Sequence, residues 1–206
     1  MTNKPLMTES NPEVSPAALL RFFLTLGNLK TTKRTGWIEN EIAMPESISD
    51  HMHRMSMMAL MVSDSTIDIA RCVLICLVHD VAEAIVGDIA PSARMAKADK
   101  QRQEEAAMQG FVNQLGDSKQ SKFMYDLWLE YESAESKEAL LAKDLDKYEM
   151  IVQAFEYEKS DNKVLDPFFE STKGKFTHPQ VISWVNELYQ QRASYFESRK
   201  ATLSSQ

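Results

Sequence analysis

Apolar residues recur along most of this chain at the three- and four-residue spacing of amphipathic helices. No segment alternates between apolar and polar residues in the manner of a half-buried strand. The predicted helices are Ala17–Leu29, Asp50–Asp64, Ile67–Val86, Ala96–Leu115, Lys119–Glu132, Ser136–Glu158 and Pro179–Ser198. Two stretches are expected to lack helix: the long connection 30–49, and the irregular segment 160–178 with its Lys-Gly-Lys turn.

These helices predict a single all-α globular domain over residues 15–199. Residues 1–14 are polar and are expected to be a disordered N-terminal segment, and 200–206 are expected to be a C-terminal tail. Two helix ends carry local signals. Ser47 followed by Asp50 resembles a capping box, and Gly87 after the third helix is suited to a left-handed cap.

Charge and composition narrow the class of protein. The net charge of -7 argues against nucleic acid as the main partner, because binding a phosphate backbone needs a basic surface. No apolar run approaches the roughly 18 residues of a membrane span, and no apolar signal core precedes the first helix. Cys72 and Cys76 are interpreted as free thiols in a reducing compartment, so a cytoplasmic location is expected by default, with the nucleus left open.

The third predicted helix combines an apolar sequence with acidic residues. It is apolar nearly all the way round, which is typical of a central, buried helix, yet its second half carries His79, Asp80 and Glu83. At about 100° per residue these three share one face. A buried carboxylate needs compensation. An ion pair with a basic residue, a solvent-filled cleft or a bound cation would each supply it.

Histidine and carboxylate residues elsewhere favour the cation. His51 shares the inward face of the preceding helix, whereas His53 lies about 200° away and is the weaker candidate. Asp88 follows directly after Gly87. A later helix supplies Asp144 and Asp146. A histidine, a His-Asp pair and a distant aspartate suit a divalent metal, and Mn, Fe, Co, Mg and Zn all fit such ligands.

The pattern His51…His79-Asp80…Asp146 resembles the metal motif of the HD superfamily. Three stretches closely resemble the 5′-deoxynucleotidases within it: residues 45–52, 77–91 and 145–154. The Gly-Lys-Phe-Thr-His-Pro run at 174–179 resembles the family's C-terminal stretch. The resemblance covers about residues 17–190. It implies a helical fold, a homodimer, and hydrolysis of deoxyribonucleoside 5′-monophosphates to deoxynucleoside and phosphate.

The resemblance also implies roles for individual residues. The metal ligands would be His51, His79, Asp80 and Asp146, with Mn, Co or Mg as the cation. Glu83 would position or deprotonate the attacking water and Asp88 would assist near the substrate. Human-type members are thought to place a second cation near these two carboxylates. A helical wheel, by contrast, places Asp144 rather than Asp146 on the apolar face. The motif match favours Asp146 and is followed, and Asp144 is then interpreted as a surface or network residue.

Substrate contacts are expected from the connection 30–49. The bacterial enzymes have an Arg directly before a Trp that contacts the nucleotide, whereas Gly36 precedes Trp37 here and the nearest arginine is Arg34. Trp37 offers an aromatic face to a base or sugar, although an isolated Trp more often fills a core. Arg34 and Lys33 are phosphate candidates, against the alternative of ordinary surface charge.

Two other functions stay open at this point. One is a different HD activity, such as a cyclic-nucleotide phosphodiesterase or a nucleotide triphosphohydrolase. The other is a non-catalytic helical protein whose metal is structural only. Glu83 and Asp88 argue against the second, because a closed structural site has no use for extra carboxylates at its edge.

Overall fold

The computed structural model describes residues 14–90 and 93–204. Their helices, in chain order, are α1 (Pro16–Leu26), a 3₁₀ turn (Gly27–Lys30), α2 (Thr35–Glu39), α3 (Ile48–Leu60), α4 (Ile69–Val78), α5 (Glu83–Val86), α6 (Lys97–Gln114), α7 (Lys119–Ser133), α8 (Lys137–Ser160), α9 (Asp166–Thr172) and α10 (Pro179–Ser204). No strand forms among these residues, and the all-α prediction is confirmed. An isolated antiparallel bridge joins Lys33 to Ser47.

The centre of the fold is a packed set of helices α3, α4 and α8, each of which contacts the other two. Their buried faces form the larger apolar core, which extends to α7, α9 and α10. A second apolar cluster lies between α1, α5, α6 and α7. Of the helices in the described ranges, none has both the length and the apolarity that crossing a bilayer requires.

Side-chain caps explain where several helices begin. Ser47 accepts a hydrogen bond from the backbone of Asp50, and the Asp50 carboxylate accepts one from the backbone of Ser47. This reciprocal pair is the capping box that the sequence predicts. Gly87 follows α5 with a φ of 74°, a conformation that side-chain-bearing residues rarely adopt.

Several predicted helix bounds are wrong. Helix α1 ends at Leu26 because the chain tightens into the 3₁₀ turn. The connection 30–49 contains α2, and the segment 160–178 contains α9, which begins at Asp166 with a proline in its first turn. Helix α10 continues to Ser204 rather than ending near Ser198. Most of the predicted N-terminal segment lies outside the described residues, and the proposed domain division stays a prediction.

The predicted helix Ile67–Val86 is two helices joined by a tight turn. Helix α4 ends at Val78, and residues 79–82 form the turn before α5. Within it, Val81 and Glu83 donate their backbone N–H groups to residues three positions earlier, Val78 and Asp80. In a backbone with hydrogen bonds between residues three positions apart, successive side chains are rotated by about 120° around the axis, instead of about 100° as in an α-helix. His79, Asp80 and Glu83 therefore lie on a turn and at the start of α5, and not on the single continuous helix that the sequence predicts.

A buried ion pair fastens α10 to α8. Glu158 is fully buried, and Arg192 donates to both of its oxygens, at 2.7 and 2.6 Å. We expect Arg192→Ala to lower the free energy of unfolding by about 3–5 kcal/mol, because Glu158 would stay buried without its counter-charge. Chemical denaturation measures the loss. Lys173→Ala, at an exposed pair with Glu170, is the matched control and should change little. Equal midpoints for all three chains would contradict the prediction.

Candidate metal centre

Two histidines from neighbouring helices face the same space. His51 on α3 and His79 at the end of α4 have ring centroids 5.4 Å apart. Both are buried, and neither Nε2 atom has a hydrogen-bond partner. The Nδ1 atoms are occupied: His79 Nδ1 lies 2.9 Å from the carbonyl oxygen of Cys76, and His51 Nδ1 lies 2.5 Å from Glu149 Oε2. Each ring is therefore turned so that Nε2 points into the shared space.

Two aspartates complete this cluster. His51 Nε2 lies 3.3 Å from Asp146 Oδ1, and His79 Nε2 lies 3.1 Å from Asp80 Oδ2. One ligand atom from each of His51, His79 and Asp146 falls within 4.8 Å of the others. Atoms bound to one ion at about 2.1 Å are about 3 Å apart across an octahedral edge. Unbonded imidazole nitrogens beside carboxylate oxygens at this spacing therefore fit a divalent cation.

The charges of the cluster are strongly coupled. Burial and Arg34 lower the pKa of His51, but Glu149 and Asp146 outweigh them and raise it to about 10. Burial opposes ionisation of Asp146, but the ring of His51 holds the pKa of this carboxyl well below its ordinary value. A cation and a proton compete for the same nitrogen, because an imidazole must be neutral to bind a metal.

Asp144 and Asp146 lie on opposite sides of α8. Asp146 faces the histidines and accepts a 2.7 Å hydrogen bond from the hydroxyl of Tyr131. Asp144 is buried on the other side, where it accepts hydrogen bonds from the backbone N–H groups of Thr177 and His178, at 2.7 Å each. It therefore fixes the segment that leads into α10. Of the two interpretations of Asp144, the network role describes it, since this carboxylate is far from exposed.

Glu83 lies at the edge of the cluster. It is 3% exposed, its Oε2 atom has no hydrogen-bond partner, and Oε1 is 3.8 Å from the ammonium of Lys100. Burial, helped by the carboxylates of Asp80 and Asp88, raises the pKa of Glu83 to about 10. A carboxyl group with a free oxygen beside a metal-type cluster is placed to bind water.

Asp88 connects two distant parts of the chain. Its carboxylate accepts a 2.5 Å hydrogen bond from the backbone N–H of Thr35, and its carbonyl oxygen accepts one from the Thr35 hydroxyl at 2.7 Å. Asp88 also lines the cavity above the cluster. One visible task of this residue is therefore to fasten the start of α2 beside the turn that carries the His-Asp pair.

The three predicted substrate contacts have different positions. Arg34 points into the cluster, with a guanidinium nitrogen 3.3 Å from Asp80 Oδ2. Trp37 contributes to the cavity wall but is 2% exposed, and it stacks on Phe168 with centroids 4.4 Å apart. Most of its ring therefore fills the core. Lys33 lines a second, separate cavity of about 770 Å³, together with His53 and Arg54.

A cavity of about 940 Å³ opens above the cluster. His79, Asp80, Glu83, Asp88 and Asp146 form part of its wall. Basic side chains stand around them: Arg34, Lys97, Lys100, Lys143 and Lys147. The volume is in the range of small-molecule sites, and cations around a carboxylate cluster suit an anionic ligand that also contacts a metal.

Sequence reasoning missed several residues that support this site. Glu149 is fully buried against His51, Tyr131 binds Asp146, and Lys100 approaches Glu83. Glu149 carries a signal that was available, because it falls one turn after Asp146 in a helix with long apolar stretches. A carboxylate buried in such a helix needs a compensating partner, as Glu83 does.

An all-helical domain that gathers a His from one helix, a His-Asp pair from the next and an Asp from a third has the architecture of HD-domain proteins. The sequence profile of the HD domain family matches residues 26–183, and the chain belongs to this family.

Its relatives include enzymes named for one activity. The chain is 48% identical over 179 residues to the 5′-deoxynucleotidase HDDC2 of Danio rerio, covering 86% of this chain and 89% of that protein. It is 46% identical over 179 residues to the 5′-deoxynucleotidase HDDC2 of Homo sapiens, covering 86% and 87%. Among solved structures, the PH0347 protein from Pyrococcus horikoshii is 30% identical, with a TM-score of 0.68 over 84% of this chain and 97% of that one.

Proposed function

We propose that this chain is a metal-dependent phosphohydrolase that cleaves deoxyribonucleoside 5′-monophosphates to deoxynucleoside and phosphate. The observation that carries the proposal is the pair of buried Nε2 atoms of His51 and His79, which lack hydrogen bonds and face two aspartates at a cavity of about 940 Å³. The relatives named 5′-deoxynucleotidases support the choice of substrate.

Four side chains would hold the ion: His51, His79, Asp80 and Asp146. Manganese, cobalt or magnesium is the proposed metal, because imidazole and carboxylate ligands suit these ions. When bound, such a cation neutralises phosphoryl oxygen charge and lowers the pKa of a coordinated water. The side chains of this chain would do the remaining work of binding and proton transfer.

Glu83 and Arg34 are proposed to act on the phosphate and the water. The Oε2 atom of Glu83 is buried without a hydrogen-bond partner and would bind the attacking water. The charge of a nearby cation would favour the ionised carboxylate, which would then accept a proton from that water. Arg34 presents its guanidinium beside Asp80, where it would bind a phosphate oxygen. Asp88 is proposed to help near the leaving 5′ oxygen or, with Glu83, to hold a second ion. Trp37 would contact the nucleoside only through the edge that reaches the cavity wall.

A panel of substrates tests the proposal. Chelator-stripped protein would be given Mn, Co or Mg and supplied with deoxy- and ribonucleoside 5′-monophosphates, cyclic nucleotides and nucleoside triphosphates. Phosphate release from the deoxy monophosphates in preference to the others is the expected result. Turnover of cyclic nucleotides or triphosphates instead would indicate a different HD activity. Bound metal without turnover on any of them would indicate a structural metal.

Two further proposals rest on the resemblance and on residue usage. A homodimer is implied by the family and would be tested by sedimentation at several protein concentrations. A cytoplasmic location agrees with the free thiols of Cys72 and Cys76, both of which are buried in α4.

A further inference from the structure

The two candidate metal-binding histidines are held in different ways on their outer side. His79 Nδ1 lies against a neutral acceptor, the carbonyl oxygen of Cys76. His51 Nδ1 lies 2.5 Å from Glu149, a carboxylate with no exposed surface. A charged partner attracts the Nδ1 proton more strongly than a carbonyl does, so it leaves more electron density on the opposite nitrogen.

Arg54 neutralises the other oxygen of Glu149. Its Nε and one terminal nitrogen both donate to Glu149 Oε1, at 2.8 and 2.6 Å, in charge-assisted hydrogen bonds that converge on this one oxygen. Two more acceptors hold the guanidinium: Gln153 at 2.5 Å and Glu156 at 2.8 Å. The result is a continuous chain of contacts from His51 through Glu149 to Arg54, whose side chain is 28% exposed.

The shape of this chain of contacts differs from that of an ordinary ion pair. A pair between Arg54 and Glu149 alone would leave the second carboxylate oxygen unused, and burying it would cost free energy. Here the second oxygen, Oε2, contacts His51, the side chain that also faces the cluster. The two oxygens of Glu149 therefore connect a surface arginine with a candidate ligand.

The geometry points to Glu149 as a positioning residue: with Arg54 behind it, Glu149 fixes the ring orientation and the Nδ1–H tautomer of His51 and strengthens its Nε2 as a metal ligand. This inference rests on the proposed metal site. It adds that the affinity of the site is set in part from beyond Glu149, where Arg54 lines the second cavity of about 770 Å³.

Metal binding to the full-length chain tests the inference without any need for turnover. Metal-free wild type and Glu149→Gln would be titrated with MnCl₂ by calorimetry at one fixed pH, and the visible spectrum of the cobalt-loaded forms would be recorded. Glutamine keeps the size and can still accept the Nδ1 proton, but it lacks the charge. We expect the Kd for manganese to rise about 10–100-fold, with a changed cobalt spectrum.

Glu156→Gln is the matched control, because Glu156 pairs with the same arginine but does not touch Glu149 or the histidine. It should leave the manganese Kd and the cobalt spectrum at their wild-type values. Arg54→Gln should raise the Kd in the same direction as Glu149→Gln. If Glu149→Gln fails to fold, the manganese Kd of Arg54→Gln tests the inference in its place.

The outcomes separate this inference from the proposed function. A wild-type chain that takes up no manganese overturns the proposed function and, with it, this inference. Wild-type binding with an unchanged Kd in folded Glu149→Gln overturns the inference alone and leaves the metal site in place. If only Arg54→Gln can be measured, an unchanged Kd overturns it as well.

Discussion

Replacing Asp146 by asparagine is expected to abolish most of the phosphate release, with a loss of about 10³-fold or more in kcat/KM. Asp146 is the carboxylate nearest to His51 Nε2, and its negative charge would attract the proposed cation. An amide is a weak ligand, and a lost cation removes several kcal/mol of transition-state stabilisation, each 1.36 kcal/mol being tenfold in rate. Metal content by mass spectrometry and phosphate release would be measured together on the same preparation.

Asp144→Asn is the matched control for this prediction. It lies on the same helix and makes the same chemical change, but its carboxylate binds the backbone of Thr177 and His178 instead of facing the histidines. We expect a lower midpoint of thermal unfolding with metal content and activity kept, since hydrogen bonds to a buried charge are worth about 1.5–3 kcal/mol each. If Asp144→Asn loses metal and Asp146→Asn does not, then Asp144 is the metal ligand and the prediction is wrong.

Replacing Glu83 by glutamine is expected to separate metal binding from turnover. The free Oε2 atom of Glu83 has no hydrogen-bond partner, and an amide in its place cannot take a proton. A lost general base costs about 10²–10⁴-fold in kcat, and the four proposed ligands are untouched. Manganese affinity close to wild type, with kcat reduced on the preferred deoxyribonucleoside monophosphate, is therefore the expected pair of results.

Glu104→Gln serves as the control for Glu83. Its carboxyl group is 3.3 Å from the same Lys100 and lines the same cavity, so the variant makes the same carboxyl-to-amide change beside the same ammonium group. Its kcat should stay within a few-fold of wild type. If Glu83→Gln retains full turnover, or if both variants lose it equally, Glu83 is not the group that handles the water.

The helical wheel of α8 shows how far sequence patterns alone reach. The pattern places Asp144 among apolar residues and Asp146 opposite, which is what the structure contains, but it does not indicate that Asp146 is the one that faces the histidines. Both sides of α8 are covered in this fold, since α3, α4 and α7 pack on one part and α10 on another. Periodicity finds a buried face, and only tertiary packing tells which buried face meets the histidines.

The turn at 79–82 illustrates a different limit. His79, Asp80 and Glu83 were expected to meet because of ideal helix geometry, and they do line one cavity. The backbone that carries them, however, changes to three-residue hydrogen bonds after Val78 instead of continuing as one helix. Nothing in an apolar run without glycine or proline signals such a change. Short helices such as α2 and α9 were missed for a related reason, because five or seven residues are too few to show a period.

The direction in which a loop side chain points is hard to predict from one sequence. Lys33 and Arg34 are adjacent, yet Arg34 reaches Asp80 while Lys33 lines the second cavity. Extended backbone before α2 turns successive side chains to opposite sides. Both residues were predicted as phosphate contacts, but of the two Arg34 alone lines the cavity above the cluster.

The connection 30–49 is tied down along its length. Asp88 binds Thr35, Lys33 bridges to Ser47, and the indole of Trp37 donates to Glu46. A segment held in this way has lost its conformational entropy during folding, so that no further ordering is needed when a ligand enters. Binding of a nucleotide in the cavity would therefore lose little conformational entropy in this part of the wall. Arg34 is already held in the position in which it would meet the phosphate.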